Sequence, residues 1–170
     1  CALIVKALSS IPNKVKGVIS ASAIGWYGPD NQLDDEGNAS TGLDKRGFTE
    51  AANPYPDFLG NTCKAWEDSI TPVKAFGKRL VILRTGIVLS NQGGALVEFK
   101  KPLLFKTAAI LGSGKQMISW IHVDDFCSAI EWILNRRNLT GPVNVAAPFA
   151  VTNSECMAVF RKAANAPWGL

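Results

Sequence analysis

The distribution of apolar residues along the chain predicts strands that alternate with helices. Residues 15–22 are almost all apolar or small, and residues 79–89 contain two blocks of Leu, Ile and Val. Near-continuous apolar runs of this kind are typical of parallel strands that are covered on both faces. Shorter runs predict further strands at 118–123 and 143–146.

Segments with helical periodicity lie between these strands. The first ten residues predict the end of a helix that closes before Pro12, and a second helix is predicted to begin near Asp57 and to end at Pro72. The buried stripe predicted for this second helix consists of Leu59, Cys63, Trp66 and Ile70.

Three more helices are predicted in the second half of the chain. One opens at residues 93–94, one is expected to be capped by Asp124, and the last begins at 152–155, whose sequence TNSE matches a capping box. The core-facing positions expected in the middle helix are Phe126, Ala129, Ile130, Ile133 and Leu134. Strands that alternate with helices indicate βαβ units and a parallel sheet, an α/β fold. The polar stretch 25–56 is long for a connection and is expected to be functional or mobile.

Composition narrows the classes of function. A chain of 170 residues suffices for one domain, and no apolar run approaches the ~20 residues of a membrane helix. The 18 basic and 14 acidic residues give a net charge of +4, but the basic residues are scattered, which argues against nucleic-acid binding. Four cysteines without a CxxC pair predict buried thiols in a cytoplasmic, reducing compartment, with no disulfide and no metal site.

Five sequence blocks, in order and at fitting spacing, resemble the extended short-chain dehydrogenase/reductase superfamily. The resemblance is greatest to its atypical branch of epimerase-like proteins, which are related to nucleoside-diphosphate-sugar epimerases. The blocks are SASAIGWYG at 20–28, the segment 58–67, LRTGIVL at 83–89, the segment 111–125 with GSGKQ and SWIHVDD, and GPVN at 141–144.

The resemblance implies an NAD(P)-binding enzyme that is only partly contained in this chain. Residues 1–170 are expected to form one partial domain, the second half of a Rossmann-like, doubly wound parallel sheet. Elements of a small substrate-side lobe are expected near 93–120 and 143–170. The glycine-rich turn that holds the pyrophosphate in this family is expected upstream of residue 1, so the chain alone should not bind NAD or NADP tightly.

A phosphate-binding loop within the chain is not indicated. The turn 112–115, GSGK, has Ala109 where a P-loop needs its first Gly and Gln116 where it needs Ser or Thr. This turn is interpreted as the entry to a strand.

Two hydroxyl-bearing residues are the candidates for catalysis. Ser22 matches the catalytic serine of the superfamily and lies at the end of a predicted strand, where a hydroxyl can bind a substrate oxygen. Tyr27 lies in the loop that follows and is the candidate substitute acid or base, although an aromatic wall beside Trp26 is an alternative role. Tyr55 lacks a Lys four residues on.

The chain departs from the family at the position of the proton donor. The family pairs a Tyr with a Lys four residues later, and the Lys lowers the pKa of the Tyr. The matching positions hold Leu59 and Cys63. This puts ordinary epimerase or dehydrogenase chemistry in doubt, and Cys63 as a replacement nucleophile is the less favoured alternative because it lies on the apolar stripe.

The remaining site residues follow from the resemblance alone. The residues expected beside the cofactor are Ser20, Ala21, Thr85, Gly86 and Ile87. Those expected in the substrate pocket are Ala23, Trp26, Gln116 and Trp120. Arg84 is expected to anchor a loop, and His122, the single histidine, to have a structural role with Asp124 and Asp125 at a helix start.

Two functions are therefore carried forward. The first is an NAD(P)-dependent epimerase-like oxidoreductase that acts on a small molecule, without nucleic-acid or membrane partners and with oligomerisation possible. The second is a non-catalytic dinucleotide-binding sensor or interaction protein that has lost the Tyr/Lys pair.

Overall fold

The computed structural model describes residues 1–29, 31–33, 39–41, 48–105, 107–108, 110–165 and 168–169. The helices are α1 (Ala2–Ser10), α2 (Phe58–Ile70), α3 (Ala95–Lys100), α4 (Val123–Asn135) and α5 (Asn153–Ala163). The strands are β1 (Gly17–Ala23), β2 (Asn31–Leu33), β3 (Ala39–Thr41), β4 (Arg79–Thr85), β5 (Ile87–Leu89), β6 (Thr107–Ala108), β7 (Met117–Ile118), β8 (Trp120–His122), β9 (Gly141–Val145), β10 (Val151–Thr152) and β11 (Trp168–Gly169).

The chain divides into two units. The first consists of Cys1–Thr85 with Ile133–Val145, and the second of Gly86–Trp132 with Ala146–Leu170.

A three-stranded parallel sheet organises the first unit, in the order β1-β4-β9. The sheet and its helices confirm the predicted α/β fold with parallel strands. An antiparallel pair, β2 with β3, lies in the part of the chain that was expected to be a long connection.

One face of this sheet carries an apolar core. Leu80 and Ile82 of β4 pack with Ile70 of α2 and with Val73, which lies in the 3₁₀ segment Thr71–Phe76. All four side chains are at least 96% buried, and residues of α1 and β1 pack against them, namely Val5, Leu8 and Val18. Burial of each such side chain contributes about 1.5–3 kcal/mol, so this cluster holds the sheet to its helices.

The second unit contains short paired strands and the capped helix α5. Strand β5 pairs in parallel with β8, and β7 pairs antiparallel with β10. The predicted capping box is confirmed, because Thr152 Oγ1 accepts the Glu155 backbone N–H and the Glu155 side chain accepts the Thr152 backbone N–H.

The expected single strand over 79–89 is divided at Gly86 into β4 and β5. A Cβ on Gly86 would lie 2.9 Å from the Ser119 carbonyl oxygen, so this position is restricted to glycine by its own chain. The predicted strand at 118–123 is likewise divided, into β7 and β8.

The buried stripe of α2 differs from the prediction. Leu59 and Trp66 are 55% and 50% exposed, and the buried positions are Gly60, Cys63, Glu67 and Ile70. The buried stripe includes Glu67 because its carboxylate pairs with the buried Arg84. A prediction based on apolar residues alone cannot identify such a position.

Three smaller expectations also differ from the structure. Helix α4 begins at Val123, so Asp124 lies in its first turn rather than at its cap, and Leu134 is 58% exposed. Cys63 is the buried thiol among the four cysteines, because Cys1 and Cys127 are exposed and Cys156 is half-buried.

Candidate functional site at the end of the parallel sheet

Three polar residues form a row across the sheet near the carboxyl ends of its strands. Ser22 of β1 is in register with Arg84 of β4, and Arg84 is in register with Asn144 of β9. Side chains alternate between the faces of a strand, so these three point to the same face as Leu80 and Ile82. That face is therefore apolar along the strands and polar at their ends, where open parallel sheets bind ligands.

Ser22 is joined to helix α2 by a buried hydrogen bond. Its side chain is 5% exposed, and its hydroxyl donates to Glu67 Oε1 at 2.8 Å. An ionised carboxylate can only accept, so the proton of Ser22 is directed at Glu67.

Arg84 is the centre of the arrangement and is 2% exposed. Its Nε donates to Glu67 Oε1 at 2.9 Å and its Nη2 to Glu67 Oε2 at 3.1 Å, a two-pronged pair. Burial alone opposes the charge on Arg84, but the hydrogen bonds to Glu67 and Tyr27 outweigh it and raise the guanidinium pKa above its ordinary value. Arg84 therefore stays charged.

The third nitrogen of Arg84 reaches the turn after β1. Its Nη1 donates to Tyr27 Oη at 3.2 Å and to the Glu50 carbonyl oxygen at 3.1 Å. The guanidinium also lies 3.7 Å from the centre of the Trp26 ring, a cation–π contact. The prediction that Arg84 anchors a loop agrees with these contacts.

Tyr27 is 5% exposed, and its hydroxyl is occupied on both sides. It accepts from Arg84 and donates to Asn144 Oδ1 at 2.5 Å. Its ring stacks on Phe48 with the ring centres 5.1 Å apart. The proton of Tyr27, like that of Ser22, is thus held by an internal acceptor.

Asn144 attaches the segment 48–50 to the edge of the sheet. Its backbone N–H donates to Glu50 Oε1 at 2.8 Å, and its Nδ2 donates to the Phe48 carbonyl oxygen at 3.0 Å. Together with the bond from Trp26 Nε1 to the Ala52 carbonyl oxygen at 2.8 Å, these contacts place the following segment beside Tyr27.

A cleft of about 280 Å³ lies in this part of the first unit. Its walls are aromatic rings, prolines and two small or polar residues, namely Tyr27, Phe48, Ala52, Asn53, Pro54, Tyr55 and Pro56.

The two positions that replace the Tyr/Lys pair lie on α2. The Cys63 thiol donates to the Ala23 carbonyl oxygen at 3.6 Å, and burial raises its pKa. A raised pKa keeps the thiol protonated and weakens it as a nucleophile, which argues against Cys63 as the reactive group. Leu59 is exposed and brings no polar group.

The opposite face of the strand end is lined by small side chains. Ala21 is exposed and Ala23 is half-buried, and Ala23 is in register with Thr85 of β4. Ser20, predicted beside the cofactor, lies on the Ser22 face and is half-buried. The small side chains of Ala21 and Ala23 allow a flat ring to approach the backbone of β1 closely.

The remaining predicted site residues belong to the second unit. Gln116 is exposed and its amide donates to the Leu111 carbonyl oxygen at 2.7 Å, while Trp120 is half-buried in β8. The backbone N–H of Ile87 donates to the Ser119 carbonyl oxygen at 2.8 Å. His122 Nδ1 accepts the Asp124 backbone N–H at 3.3 Å at the start of α4, which suits the predicted structural role.

Sequence reasoning missed Glu67, Glu50 and Asn144 as members of the network. A signal was present for Glu67, since it lies four residues after Cys63 and three before Ile70 on a stripe that is otherwise apolar. Arg84 sits in a strand of apolar residues, and two opposite charges in buried elements predict a pair.

The described residues contain neither a cluster of His, Cys, Asp or Glu that could hold a metal ion nor a helix long and apolar enough to cross a membrane.

Comparison with known proteins identifies relatives over nearly the whole chain. An epimerase family protein of Mycobacterium bovis is 37% identical over 155 residues, which is 90% of this chain and 46% of that protein. The chain therefore spans about half the length of the curated relative it matches. No protein-family model matches the chain.

Solved structures share the fold. A nucleoside-diphosphate sugar epimerase of Corynebacterium glutamicum is 28% identical, with a TM-score of 0.77 over 96% of this chain and 33% of that one. A human epimerase family protein, solved with NADPH, is 24% identical, with a TM-score of 0.75 over 99% of this chain and 54% of that one. At 24% identity, the likeness to the human protein shows the fold alone.

The buried pair should stabilise the fold far more than an exposed pair on the same helix. We expect Glu67→Gln to lower the free energy of unfolding by about 3–5 kcal/mol, because it leaves the Arg84 charge buried without its full partner. The matched control is Asp68→Asn, which breaks the exposed pair with Lys64 and should cost less than ~1 kcal/mol. Urea unfolding of both variants measures the difference, and equal losses would show that Glu67 and Arg84 do not act as a buried pair.

Proposed function

We propose that the protein is a nicotinamide-dinucleotide-dependent oxidoreductase of the epimerase-like branch of the short-chain dehydrogenase/reductase superfamily. The observation that carries the proposal is the 37% identity to an epimerase family protein over nine-tenths of the chain. A human epimerase family protein that shares the fold was solved with NADPH, and we take the cofactor class from it as part of the proposal. NAD and NADP remain equal candidates.

The strand end offers a surface that fits a nicotinamide ring. The methyl group of Ala21 and the side chain of Thr85 lie on one face at the carboxyl end of the sheet. When bound, the cofactor supplies or accepts a hydride. The resemblance also assigns to the cofactor Gly86, Ile87 and Ser20. The residues that it assigns to the substrate pocket are Ala23, Trp26, Gln116 and Trp120.

Proton transfer is the step for which this chain is least equipped. Leu59 and Cys63 supply neither the phenol nor the ammonium of the family, and loss of a positioned acid or base typically costs ~10²–10⁴-fold in rate. Ser22 and Tyr27 stay the proposed polar residues toward a substrate. Their protons already go to Glu67 and Asn144, so each is better suited to accept a hydrogen bond than to donate one. We therefore favour slow reduction or oxidation of a small carbonyl or hydroxyl compound over sugar epimerisation.

The same hydrogen bonds favour a second candidate function. Both hydroxyls serve internal contacts, and a protein whose site residues are fully used in this way can bind a dinucleotide without turning over a substrate. The alternative is a non-catalytic sensor or interaction protein.

Cofactor binding can be tested apart from catalysis. In a protein that spans the full length of the relatives, Ala21→Phe should weaken NADPH binding by at least ~10-fold, because the new ring occupies the small-residue face. Ala75→Phe, at an exposed position of the 3₁₀ segment, is the matched control and should leave the affinity unchanged. Binding is followed by tryptophan fluorescence. Equal affinities of the two variants would place the nicotinamide elsewhere.

The reaction class has its own test. With NAD added, turnover of UDP-glucose, UDP-galactose and their N-acetyl forms should fall at least ~100-fold below the ~10 s⁻¹ of ordinary enzymes. The physical reason is the missing Tyr/Lys pair. A rate near ~10 s⁻¹ would show that another residue provides the proton path. If Ser22→Ala then left that rate unaltered, Ser22 would have no part in it.

A further inference from the structure

Basic side chains that are far apart in the sequence meet at the amino-terminal edge of the parallel sheet. Parallel strands begin at the same edge of a sheet, and the segments that lead into β1, β4 and β9 each carry two of these side chains. The set, called the basic edge below, consists of Lys14, Lys16, Lys74, Lys78, Arg136 and Arg137. The three segments, 11–16, 71–78 and 135–140, contain no Asp or Glu.

Direct contacts hold these three segments against one another. Lys78 Nζ donates to the Val15 carbonyl oxygen at 2.8 Å, and the Arg79 backbone N–H donates to the Lys16 carbonyl oxygen at 3.0 Å. The guanidinium of Arg79 turns the other way, and its Nη1 donates to the Arg136 carbonyl oxygen at 3.2 Å. The basic edge is therefore one continuous surface of the first unit.

The positive charge of the basic edge is not balanced by neighbouring carboxylates. Four of its side chains are exposed and take part in no salt bridge between described residues, namely Lys14, Lys16, Lys74 and Arg137. Asp68, near the end of α2, is paired with Lys64 on its own helix. The basic edge thus presents a positive potential to an anionic partner.

Exposed apolar side chains lie among these charges. Those in or directly beside the three segments, with their exposed fractions, are Ile11 at 60%, Val15 at 39%, Phe76 at 39% and Leu134 at 58%. Lys and Arg interspersed with apolar side chains are typical of surfaces that lie on an anionic bilayer, where the cations attract the headgroups and the apolar groups enter the acyl boundary. A nucleic acid uses the same charges through its phosphates but offers little to aliphatic side chains.

We propose that the basic edge binds the surface of a bilayer that contains anionic lipids. The candidate functional site lies at the opposite end of the strands, about 20 Å away along the seven residues of β4. Binding at the basic edge therefore leaves that site open to solvent. The proposal goes beyond the oxidoreductase function, since it holds for either candidate function. It replaces the expectation of no membrane partner, which took account only of membrane-spanning segments.

Cosedimentation of the intact protein with lipid vesicles tests the proposal. Vesicles of equal parts phosphatidylserine and phosphatidylcholine should bind the protein at least ~10-fold more tightly than vesicles of phosphatidylcholine alone. The difference should disappear at about 1 M salt, where the screening length is about 3 Å. Equal binding to both kinds of vesicle at low salt, or no binding to either, would overturn the proposal.

A charge variant locates the binding to the basic edge. Lys14→Gln combined with Lys16→Gln should weaken binding to the anionic vesicles at least ~10-fold, because each Lys or Arg near such a surface contributes about 5-fold. The matched control is Lys100→Gln combined with Lys101→Gln, which removes the same charge from exposed positions of the second unit and should change binding less than ~2-fold. Equal losses in the two variants would show that net charge alone governs binding and would contradict the proposal.

An apolar variant distinguishes a bilayer from a nucleic acid. Ile11→Ser should weaken vesicle binding at least ~3-fold, whereas Val159→Ser, at a position of α5 that is 64% exposed, should leave it unchanged. No effect of Ile11→Ser, or binding of duplex DNA as tight as that of the anionic vesicles at the same salt, would rule out the bilayer as the partner. The NADPH affinity of these variants should be unaltered, and a failure of NADPH to bind would leave the vesicle result standing.

Discussion

The ion pair between Glu67 and Arg84 is the constraint on which the first unit depends. A guanidinium that is 2% exposed in the central strand of a parallel sheet is costly unless it is paired and fully hydrogen-bonded. Glu67 satisfies two of its nitrogens, and Tyr27 Oη and the Glu50 carbonyl oxygen satisfy the third. One charge therefore determines where helix α2, the turn after β1 and the segment 48–50 lie against the sheet.

This constraint has a consequence for chemistry. The hydroxyl groups of Ser22 and Tyr27 donate to acceptors within the network. The positions Leu59 and Cys63 supply no acid or base of suitable pKa. The same contacts make the surroundings rigid, with an aromatic cleft on one side and a small-residue strand end on the other. The chain is thus better equipped to bind and orient flat groups than to move protons.

Features with a local cause could be predicted from the sequence. The apolar runs of β1 and β4, the start of α2 after Asp57 and the capping box of α5 each depend on neighbouring residues, and the structure confirms them. The burial of Glu67 depends on Arg84, a partner 17 residues away, which it reaches only because α2 lies against the sheet. A periodicity analysis treats every charged residue as exposed, including one with a buried partner. It therefore predicts Leu59 and Trp66 as the buried positions of α2 in place of Glu67.

The most direct test of a connected network is a double-mutant cycle between its two ends. Glu67 and Asn144 are linked by hydrogen bonds through Arg84 and Tyr27. We expect the free-energy changes on unfolding for Glu67→Gln and Asn144→Ala to be non-additive by about 0.5–3 kcal/mol, as for residues that share one hydrogen-bonded network. Additivity within ~0.3 kcal/mol would show that the two ends are independent and that Arg84 does not connect them.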